Sequence, residues 1–238
     1  MKLGIMQPYF FPYLGHFQLI ASVDKWVAYD TAQYSKQSWI NRNRILHPTS
    51  GWQYIVAPIH ASGFPPIQAV TLTDKKALSS RLLGQIDHYR GRAPHFENVK
   101  RLVEQVFETT YSNRLAELNV NGLAVISNYL DIQFDWAFLS SLNMETIDAA
   151  TPSARILRIC QMTGADHYIN PASGRALYEV DEWTAAGVQL EFLNPLRFTY
   201  DCSPYKFEEG LSILDVLMWN SPERVTDAIY KANARIDV

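Results

Sequence analysis

The sequence has few cysteines and no long apolar run, and each shortage excludes a class of protein. Only Cys160 and Cys202 occur in 238 residues, which is too sparse for a disulfide framework and indicates a reducing compartment. No apolar run approaches the length needed to span a bilayer. The first residues are a strand pattern rather than a secretory signal. We therefore expect a cytoplasmic protein with no membrane span.

Basic clusters and the common catalytic signatures are also missing. The formal net charge is −3 and no polybasic stretch occurs, so nucleic acid is not expected as a partner. The sequence contains no HExxH, GxxxxGK[ST], GxGxxG or GxSxG motif, and its six histidines lack zinc-ligand spacing. We expect no metal site, and the sequence names no cofactor.

Short apolar runs alternate with segments of helical periodicity. Residues 2–7 and 25–30 predict buried strands on either side of a helix over 15–23, which is the βαβ unit of a parallel sheet. Residues 38–59 predict a β-hairpin around a turn at 47–51. Three helices are expected between 74 and 131, the first capped by Asp74.

The second half of the chain returns to the alternating pattern. It predicts a strand over 134–141, a helix over 153–164 that ends at Gly164, and strands over 166–170 and 188–193. A short helix separates the last two strands, and two helices close the chain, the second starting at Pro222.

These elements together predict an α/β fold. We expect a mostly parallel sheet with a Rossmann-like βαβ start, a small β-hairpin and a helical insertion. Residues 1–73 and 133–238 are assigned to the α/β core, and residues 74–132 to a helical insertion or subdomain.

The stretch "IMQPYFFPYLGHFQLI" (5–20) connects the first strand to the first helix. Ligands of open α/β sheets bind beyond the carboxyl ends of the strands, and a helix start offers free N–H groups to an anion. Two prolines stiffen this connection, which favours a binding site over the alternative that the aromatic rings only pack on the sheet. The candidate binding residues are Gln7, Tyr9, Tyr13, Gly15 and His16.

The stretch "SWINRNRI" (38–45) places Arg42 and Arg44 on the same face of a strand. Two guanidinium groups on one face suit a phosphate or carboxylate, although surface arginines on a solvated edge strand are the alternative. His16 or Asp30 is the candidate general base. We assign to the same site Gln33, Tyr34, Trp39 and Asn43.

The stretch "YDCSPYKFEEGLSILDVL" (200–217) contains one further candidate. Ser212 is predicted to cap a helix that has Asp215 in its first turn. An acidic residue is favoured there by the helix dipole alone, so capping and catalysis both remain open for Asp215. No role is assigned to Cys202.

The motifs "MQPYFFPYLGHFQLI", "QYSKQSWINRNRI" and "LSILDVL" together resemble those of the WbqC-like protein family. The resemblance covers nearly the whole chain and departs from the family pattern at His16, where the pattern has an aromatic residue. It implies modification of a glycan precursor, such as acyl or glycine-type aminoacyl transfer to an amino sugar in O-antigen synthesis. The expected partner is a small molecule, a nucleotide sugar or nucleotide, and an oligomer is possible.

Two alternatives remain. "PYLGHFQLI" after a strand is similar to the HxGH signature of nucleotidylyl transferases and pantothenate-synthetase-like ligases, with Tyr13 in place of the first histidine. This likeness implies an ATP-dependent ligase in which His16 contacts phosphate. The other alternative is a non-enzymatic scaffold of a glycan assembly complex, which would expose a large apolar patch.

Overall fold

The structure, a computed structural model, describes residues 1–142 and 151–233. Between these limits the chain forms nine strands and eight α-helices, with short 3-10 turns between some of them. In chain order they are β1 (Lys2–Met6), α1 (Leu14–Ile20), β2 (Lys25–Ala28), β3 (Arg42–Leu46), β4 (Trp52–Val56), β5 (Ile59–His60), β6 (Thr71–Leu72), α2 (Lys75–Ile86), α3 (Phe96–Thr109), α4 (Leu115–Tyr129), β7 (Trp136–Phe138), α5 (Pro152–Thr163), β8 (His167–Pro171), α6 (Val180–Ala185), β9 (Gln189–Leu193), α7 (Ile213–Trp219) and α8 (Pro222–Asn233).

Five parallel strands form the central sheet, in the order β7-β2-β1-β8-β9. Numbered along the chain, these strands lie in the order 3-2-1-4-5, which is the Rossmann arrangement. The chain first adds strands on one side of β1 and then returns to add β8 on the other side. The predicted α/β fold with a parallel sheet and a βαβ start is therefore confirmed, and the point where the strand order reverses lies between β1 and β8.

Each face of the sheet is covered by its own hydrophobic cluster. Leu3 and Ile5 of β1 pack with α5 and α6 on one face, whereas Trp26 and Ala28 of β2 pack on the other with α1, the β3–β4 hairpin, α2–α4, α7 and α8. Because side chains alternate along a strand, both faces need apolar residues, which explains the short apolar runs. The division of the chain into a core and an insertion over 74–132 remains a prediction.

The hairpin and the helix ends follow the local sequence signals. β3 and β4 pair antiparallel around the turn predicted at 47–51. Asp74 accepts a hydrogen bond from the backbone of Ala77, and Gly164 ends α5 in the left-handed region with φ 70°. α8 begins at Pro222, as expected.

The strand predicted over 134–141 is shorter than expected. Only Trp136–Phe138 pairs with the sheet, and residues 139–142 turn into a 3-10 helix. The cause is Asp30, whose carboxylate accepts hydrogen bonds from both the backbone and the hydroxyl of Ser140. These bonds turn the chain away from the direction of the strand.

Both cysteines are buried free thiols. Burial raises the pKa of Cys160 to about 12. Burial, and to a smaller extent the charge of Asp215, raises the pKa of Cys202 to about 11.

Over residues 1–142 and 151–233, no helix is both long and apolar enough to cross a membrane.

Candidate functional site

A cavity of about 330 Å³ lies at the carboxyl ends of the parallel strands, where the strand order reverses. Its walls include Gly15 at the start of α1, Pro171 at the end of β8 and Leu193 at the end of β9. In open α/β sheets ligands bind at this reversal point, because the loops on its two sides diverge there. The sheet topology therefore makes this cavity the leading candidate for a ligand site.

Aromatic rings and two acidic side chains give the cavity its chemical character. The rings come from Tyr13, Phe198, Tyr200 and Phe207, with aliphatic residues between them. The charged residues of the wall are Glu208 and Glu209. Neither carboxylate forms a salt bridge within the part of the chain that the structure describes.

The loop between β1 and α1 is held rigidly by buried polar side chains. Asn119 of α4 donates to the carbonyl of Pro8 at 2.8 Å, and Asn43 of β3 donates to the carbonyl of Phe11 at 2.9 Å. Ser212 donates to the same Phe11 oxygen at 2.7 Å. Phe11 has φ 39°, a left-handed conformation that a non-glycine residue adopts only when its surroundings impose it. The motif is thus a preorganised loop rather than a flexible connector.

Tyr13 divides the loop from the cavity. Its ring lies over the first turn of α1, so closely that a Cβ atom on Gly15 would be 2.4 Å from the ring. The phenol is 40% exposed and forms part of the cavity wall. The start of α1, where an anion was expected, is therefore covered by an aromatic ring.

His16 lies behind this ring and is 1% exposed. Its Nε2 lies 3.2 Å from the carbonyl oxygen of Gln7 and therefore donates to it, which leaves Nδ1 as an acceptor with no partner among the described residues. The imidazole packs against Tyr9 at 4.9 Å between ring centroids. Burial lowers the pKa of His16 to about 4, against the opposing effect of the Gln7 hydrogen bond, so the ring is neutral at pH 7.

Tyr9 is half-buried in the same group of rings. Its pKa is raised, first by burial and then by the neighbouring Tyr13, so it remains a hydroxyl donor at neutral pH. Within the opening motif Phe10 and Phe11 are buried in the core, whereas Tyr9 is half-buried and Tyr13 is exposed, and ligand binding by the motif stays a prediction.

Arg42 and Arg44 lie side by side on the exposed face of the hairpin. The Arg42 guanidinium lies 4.5 Å from the ring centre of Tyr54, and that of Arg44 lies 5.4 Å from Trp39 and 5.0 Å from Trp52. The two guanidinium groups share Trp39 between them. Among the described residues no carboxylate pairs with either arginine. Both charges are therefore available to an anionic ligand.

Arg44 connects this pair to the cavity wall. Its guanidinium donates to the carbonyl of Gly210 at 3.3 Å, and Gly210 lines the cavity. The backbone of Arg44 also accepts a hydrogen bond from Ser212 at 2.8 Å. The arginine pair and the cavity are thus neighbouring features that share one piece of chain.

Other predicted site residues lie elsewhere or have structural partners. The Asp30 carboxylate is 2% exposed and is bound by Ser140. Gln33 is exposed, and its backbone bridges to Pro66. Tyr34 is buried and donates to Asn41 at 3.0 Å.

Asp215 lies in the core and joins β3 of the hairpin to Tyr200 of the cavity wall. Its buried carboxylate accepts hydrogen bonds from the backbone of Leu46 at 2.9 Å, from Tyr200 at 3.0 Å and from Tyr89. Burial raises the pKa of Asp215, and the three donors oppose that rise. Ser212 caps α7 by accepting from Leu214, so Asp215 serves to join elements and not to cap the helix.

Of the predicted site residues, the structure places Tyr13 and Gly15 on the cavity wall. Arg44 reaches the wall through Gly210, and His16 and Tyr9 lie behind Tyr13.

Sequence reasoning missed the wall contributed by the end of β8 and by the segment from 193 to 211. The small residues after β8, Ala172 and Ser173, were the available signal, because a strand followed by small residues allows a ligand to approach. Over residues 1–142 and 151–233, no group of three metal-ligating side chains comes together.

Two comparisons relate the chain to known proteins. The model of the WbqC-like protein family matches residues 7–227. An uncharacterised protein of Mycobacterium tuberculosis, Rv1507c, is 30% identical over 223 residues, which cover 91% of this chain and 92% of the relative. No solved structure matches the chain significantly. The family match includes the loop, the hairpin and the cavity wall.

Proposed function

Because the chain belongs to the WbqC-like protein family, we propose that it modifies a glycan precursor by transferring an acyl or aminoacyl group to a nucleotide-activated amino sugar. The family supports a glycan-related role. The observation that carries the finer proposal is the cavity at the strand-order reversal, next to two arginines that pair with no carboxylate among the described residues. A ligand with an anionic half and an uncharged or cationic half matches this arrangement.

The anionic half is the diphosphate of the nucleotide sugar. Arg42 and Arg44 present two planar guanidinium groups on one face of β3, and each can donate two hydrogen bonds to phosphate oxygens. The rings of Trp39 and Trp52, each more than a third exposed, flank these charges. A nucleobase can stack on such rings beside its phosphates.

The sugar half enters the cavity beside Gly210. A volume of about 330 Å³ is at the lower end of the range for small-molecule sites, roughly 300–1,000 Å³. It accommodates a single sugar ring and leaves the nucleotide outside. The aromatic wall offers flat faces to the ring, and Glu208 and Glu209 accept hydrogen bonds from hydroxyl or amine groups.

The transfer forms a bond between the sugar nitrogen and the acyl carbon of an activated donor, whose leaving group departs with the bonding pair. The nitrogen loses a proton to a base. Between the two predicted bases, His16 is the better candidate, because its neutral Nδ1 has no partner among the described residues, whereas Asp30 is bound by Ser140. Tyr13 separates His16 from the cavity, so its ring would move aside for this contact.

The ligase alternative requires a histidine in contact with ATP phosphates. Tyr13 occupies the place of the first histidine of that signature, so only His16 remains of the pair. Glu208 and Glu209 beside the start of α1 repel a triphosphate there. The nucleotide-sugar proposal places its phosphates on the hairpin instead.

The test is thermal stabilisation of the full chain by nucleotides and nucleotide amino sugars, because a ligand of the native state raises the melting temperature. Nucleotide sugars are expected to stabilise the protein, and Arg44→Gln to weaken their affinity about ten- to hundredfold. Arg101→Gln is the matched control, because Arg101 lies on the exposed surface of α3 and bonds to its helix neighbours Glu97 and Asn98. If no nucleotide sugar stabilises the wild type, the proposal is wrong. If ATP alone does so, the ligase alternative replaces it.

A further inference from the structure

We infer that the hydroxyl of Tyr178 donates a hydrogen bond to the acyl group of the proposed transfer, on the opposite face of the sheet from the cavity. The inference rests on the proposed function, because it places the second reactant of the same reaction. Tyr178 follows β8 in the chain and is bound by Asn170 near the carboxyl end of that strand. Its ring packs with the cluster of Leu3 and Ile5, whereas the apolar cavity wall belongs to the other cluster.

Two hydrogen bonds fix the direction of the Tyr178 proton. Asn170 donates to the Tyr178 hydroxyl at 2.8 Å, and the hydroxyl oxygens of Tyr168 and Tyr178 lie 3.0 Å apart. Tyr168 is 1% exposed and has no other hydrogen-bond partner among the described residues. If Tyr178 donated to Tyr168, the Tyr168 proton would be buried without an acceptor, which is costly. Tyr168 is therefore the donor, and Tyr178 accepts two hydrogen bonds and keeps its own proton for a ligand.

The two donors make the Tyr178 hydroxyl a stronger hydrogen-bond donor, because neighbouring hydrogen bonds polarise one another. Burial raises the pKa of Tyr178, and the hydrogen bonds from Tyr168 and Asn170 act against that rise. The hydroxyl therefore holds its proton at pH 7. Since Tyr178 is only partly buried, a ligand can reach this proton.

A cation near Tyr178 favours a ligand oxygen that carries negative charge. Phe192 pairs with Asn170 across β8 and β9, and its ring centre lies 5.9 Å from that of Tyr178. The Arg175 guanidinium lies 4.6 Å from the centre of the same Phe192 ring. Within the described part of the chain no carboxylate forms a salt bridge with Arg175. A polarised hydroxyl and an unpaired guanidinium around one ring match the oxygen of an acyl group that becomes negative during the reaction.

The reaction uses this hydrogen bond without moving the Tyr178 proton. The sugar nitrogen attacks the acyl carbon, and the carbonyl oxygen takes up the electron pair of the C=O double bond. Tyr178 stabilises that negative oxygen until the double bond forms again and the leaving group departs with its bonding pair. The two reactants meet at the end of β8, where Pro171 lines the cavity and the preceding Asn170 binds Tyr178.

The probe for this site is acetate, whose carboxylate resembles the negative acyl oxygen, with acetamide as its neutral isostere. The full-length wild type is titrated with each at pH 7, and affinity is measured from NMR shifts of the backbone amides of residues 170–178. Acetate is expected to bind at least about tenfold more tightly than acetamide, because hydrogen bonds to a charged oxygen are the stronger ones. Equal affinities would overturn the inference, as would the absence of saturable acetate binding, and neither result depends on whether a variant folds.

Tyr178→Phe removes the donor but keeps the ring, and is expected to weaken acetate binding about tenfold. Tyr230→Phe is the matched control, because Tyr230 is an exposed tyrosine on α8, and it is expected to keep the wild-type affinity. If Tyr178→Phe kept the wild-type affinity as well, the hydroxyl would have no part in binding and the inference would be wrong.

Tyr168→Phe tests the direction of the proton. If Tyr168 donates to Tyr178, its loss removes one polarising bond and weakens acetate binding by about twofold or more. If Tyr178 donates to Tyr168 instead, the same change releases the Tyr178 proton, and acetate binds more tightly. An unchanged or increased affinity in Tyr168→Phe would therefore overturn the inference.

The acetate experiment and the nucleotide experiment fail separately. Acetate binding at Tyr178 without stabilisation by nucleotide sugars would refute the proposed function and keep Tyr178 as an oxyanion site. Stabilisation by nucleotide sugars without acetate binding would support the proposed function and refute the role of Tyr178.

Discussion

Asp215 joins three parts of the molecule through one carboxylate. Replacing it with Ala leaves the buried hydroxyl donors of Tyr89 and Tyr200 without an acceptor, whereas the Leu46 amide keeps the Tyr89 oxygen at 3.0 Å. Since each such donor costs about 1–3 kcal/mol, we expect Asp215→Ala to lower the free energy of unfolding by at least about 2 kcal/mol. Urea denaturation followed by circular dichroism measures this loss.

The control for that prediction is Asp227→Ala. Asp227 is an exposed carboxylate on α8, paired with Lys231 four residues on. Exposed pairs of this kind contribute little, so the control is expected to change stability by less than about 0.5 kcal/mol. A loss below about 1 kcal/mol for Asp215→Ala would show that the hydroxyls of Tyr89 and Tyr200 find other partners.

His16 makes stability depend on pH in a defined window. Its pKa is about 4 in the folded protein against about 6.5 when unfolded, so the unfolded chain binds the extra proton first as the pH falls. Stability is therefore full above pH 6.5 and declines between about 6.5 and 4, by up to about 3 kcal/mol. Urea unfolding at several pH values measures the slope, and His16→Gln, which keeps a donor for the Gln7 carbonyl, should flatten it.

An exposed histidine provides the comparison. His60→Gln alters a side chain on the surface of β5 and is expected to keep the wild-type slope. If His16→Gln and His60→Gln gave the same profile, the buried imidazole would not be the source of the pH dependence.

At the scale of elements, the start of α1 depends on a glycine. A methyl group on Gly15 would be 2.4 Å from the Tyr13 ring, whereas one on Gly84 of α2 meets nothing within 4 Å. Glycine inside a helix costs about 0.5–1 kcal/mol relative to alanine. We therefore expect Gly84→Ala to stabilise the protein by about that amount and Gly15→Ala to give no gain and to weaken ligand binding. Melting temperatures of both variants provide the measurement.

The clash between an alanine at position 15 and the Tyr13 ring can be tested by removing the ring. In Tyr13→Ala the ring is gone, and Gly15→Ala should then stabilise the protein as Gly84→Ala does. Failure of Gly15→Ala to become stabilising in that background would show that the clash does not determine its effect.

The elements themselves were largely predictable, because their signals are local. The capping residue Asp74, the left-handed Gly164 and the short apolar runs of β1 and β2 are each recognised from neighbouring residues. The loop at the start of α1 was correctly placed at the sheet edge for the same reason. A single 3-10 turn at Ser140 changed the end of β7, because its cause, Asp30, is 110 residues away.

The cavity wall was less predictable, because distant segments build it. The aromatic and acidic residues from 193 to 211 line one cavity with the start of α1, although almost 180 residues separate the two segments in the sequence. Asn43, predicted as a binding residue, donates to the backbone carbonyls of Phe10 and Phe11. Spacing on a strand tells which face a side chain occupies, but not which loop will cover that face.

At the scale of the whole molecule, the helices over 74–132 are tied to the rest through buried polar contacts. Tyr89 reaches Asp215, and Asn119 bonds to the carbonyls of Pro8 and Ile40. These helices also share one apolar cluster with α1, α7 and α8. We therefore expect α3 and α4 to open with the central strands in a single step.

Hydrogen exchange in mild denaturant, resolved by peptide, measures this cooperativity. Peptides from α3 and α4 are expected to show the same free energy of opening as peptides from β1, within about 1 kcal/mol. A lower free energy for the helices alone would show that they form a subdomain with independent stability.

The strand order also has a consequence for synthesis on the ribosome. The Met1 amino group bonds to Asp166, 165 positions later, and β1 pairs with β8 beside that bond. At about 5–20 residues per second, the first strand emerges roughly ten seconds or more before its second neighbour exists. During that interval one side of a buried, apolar strand has no partner, and such an unpaired edge is where a folding chain is prone to aggregate.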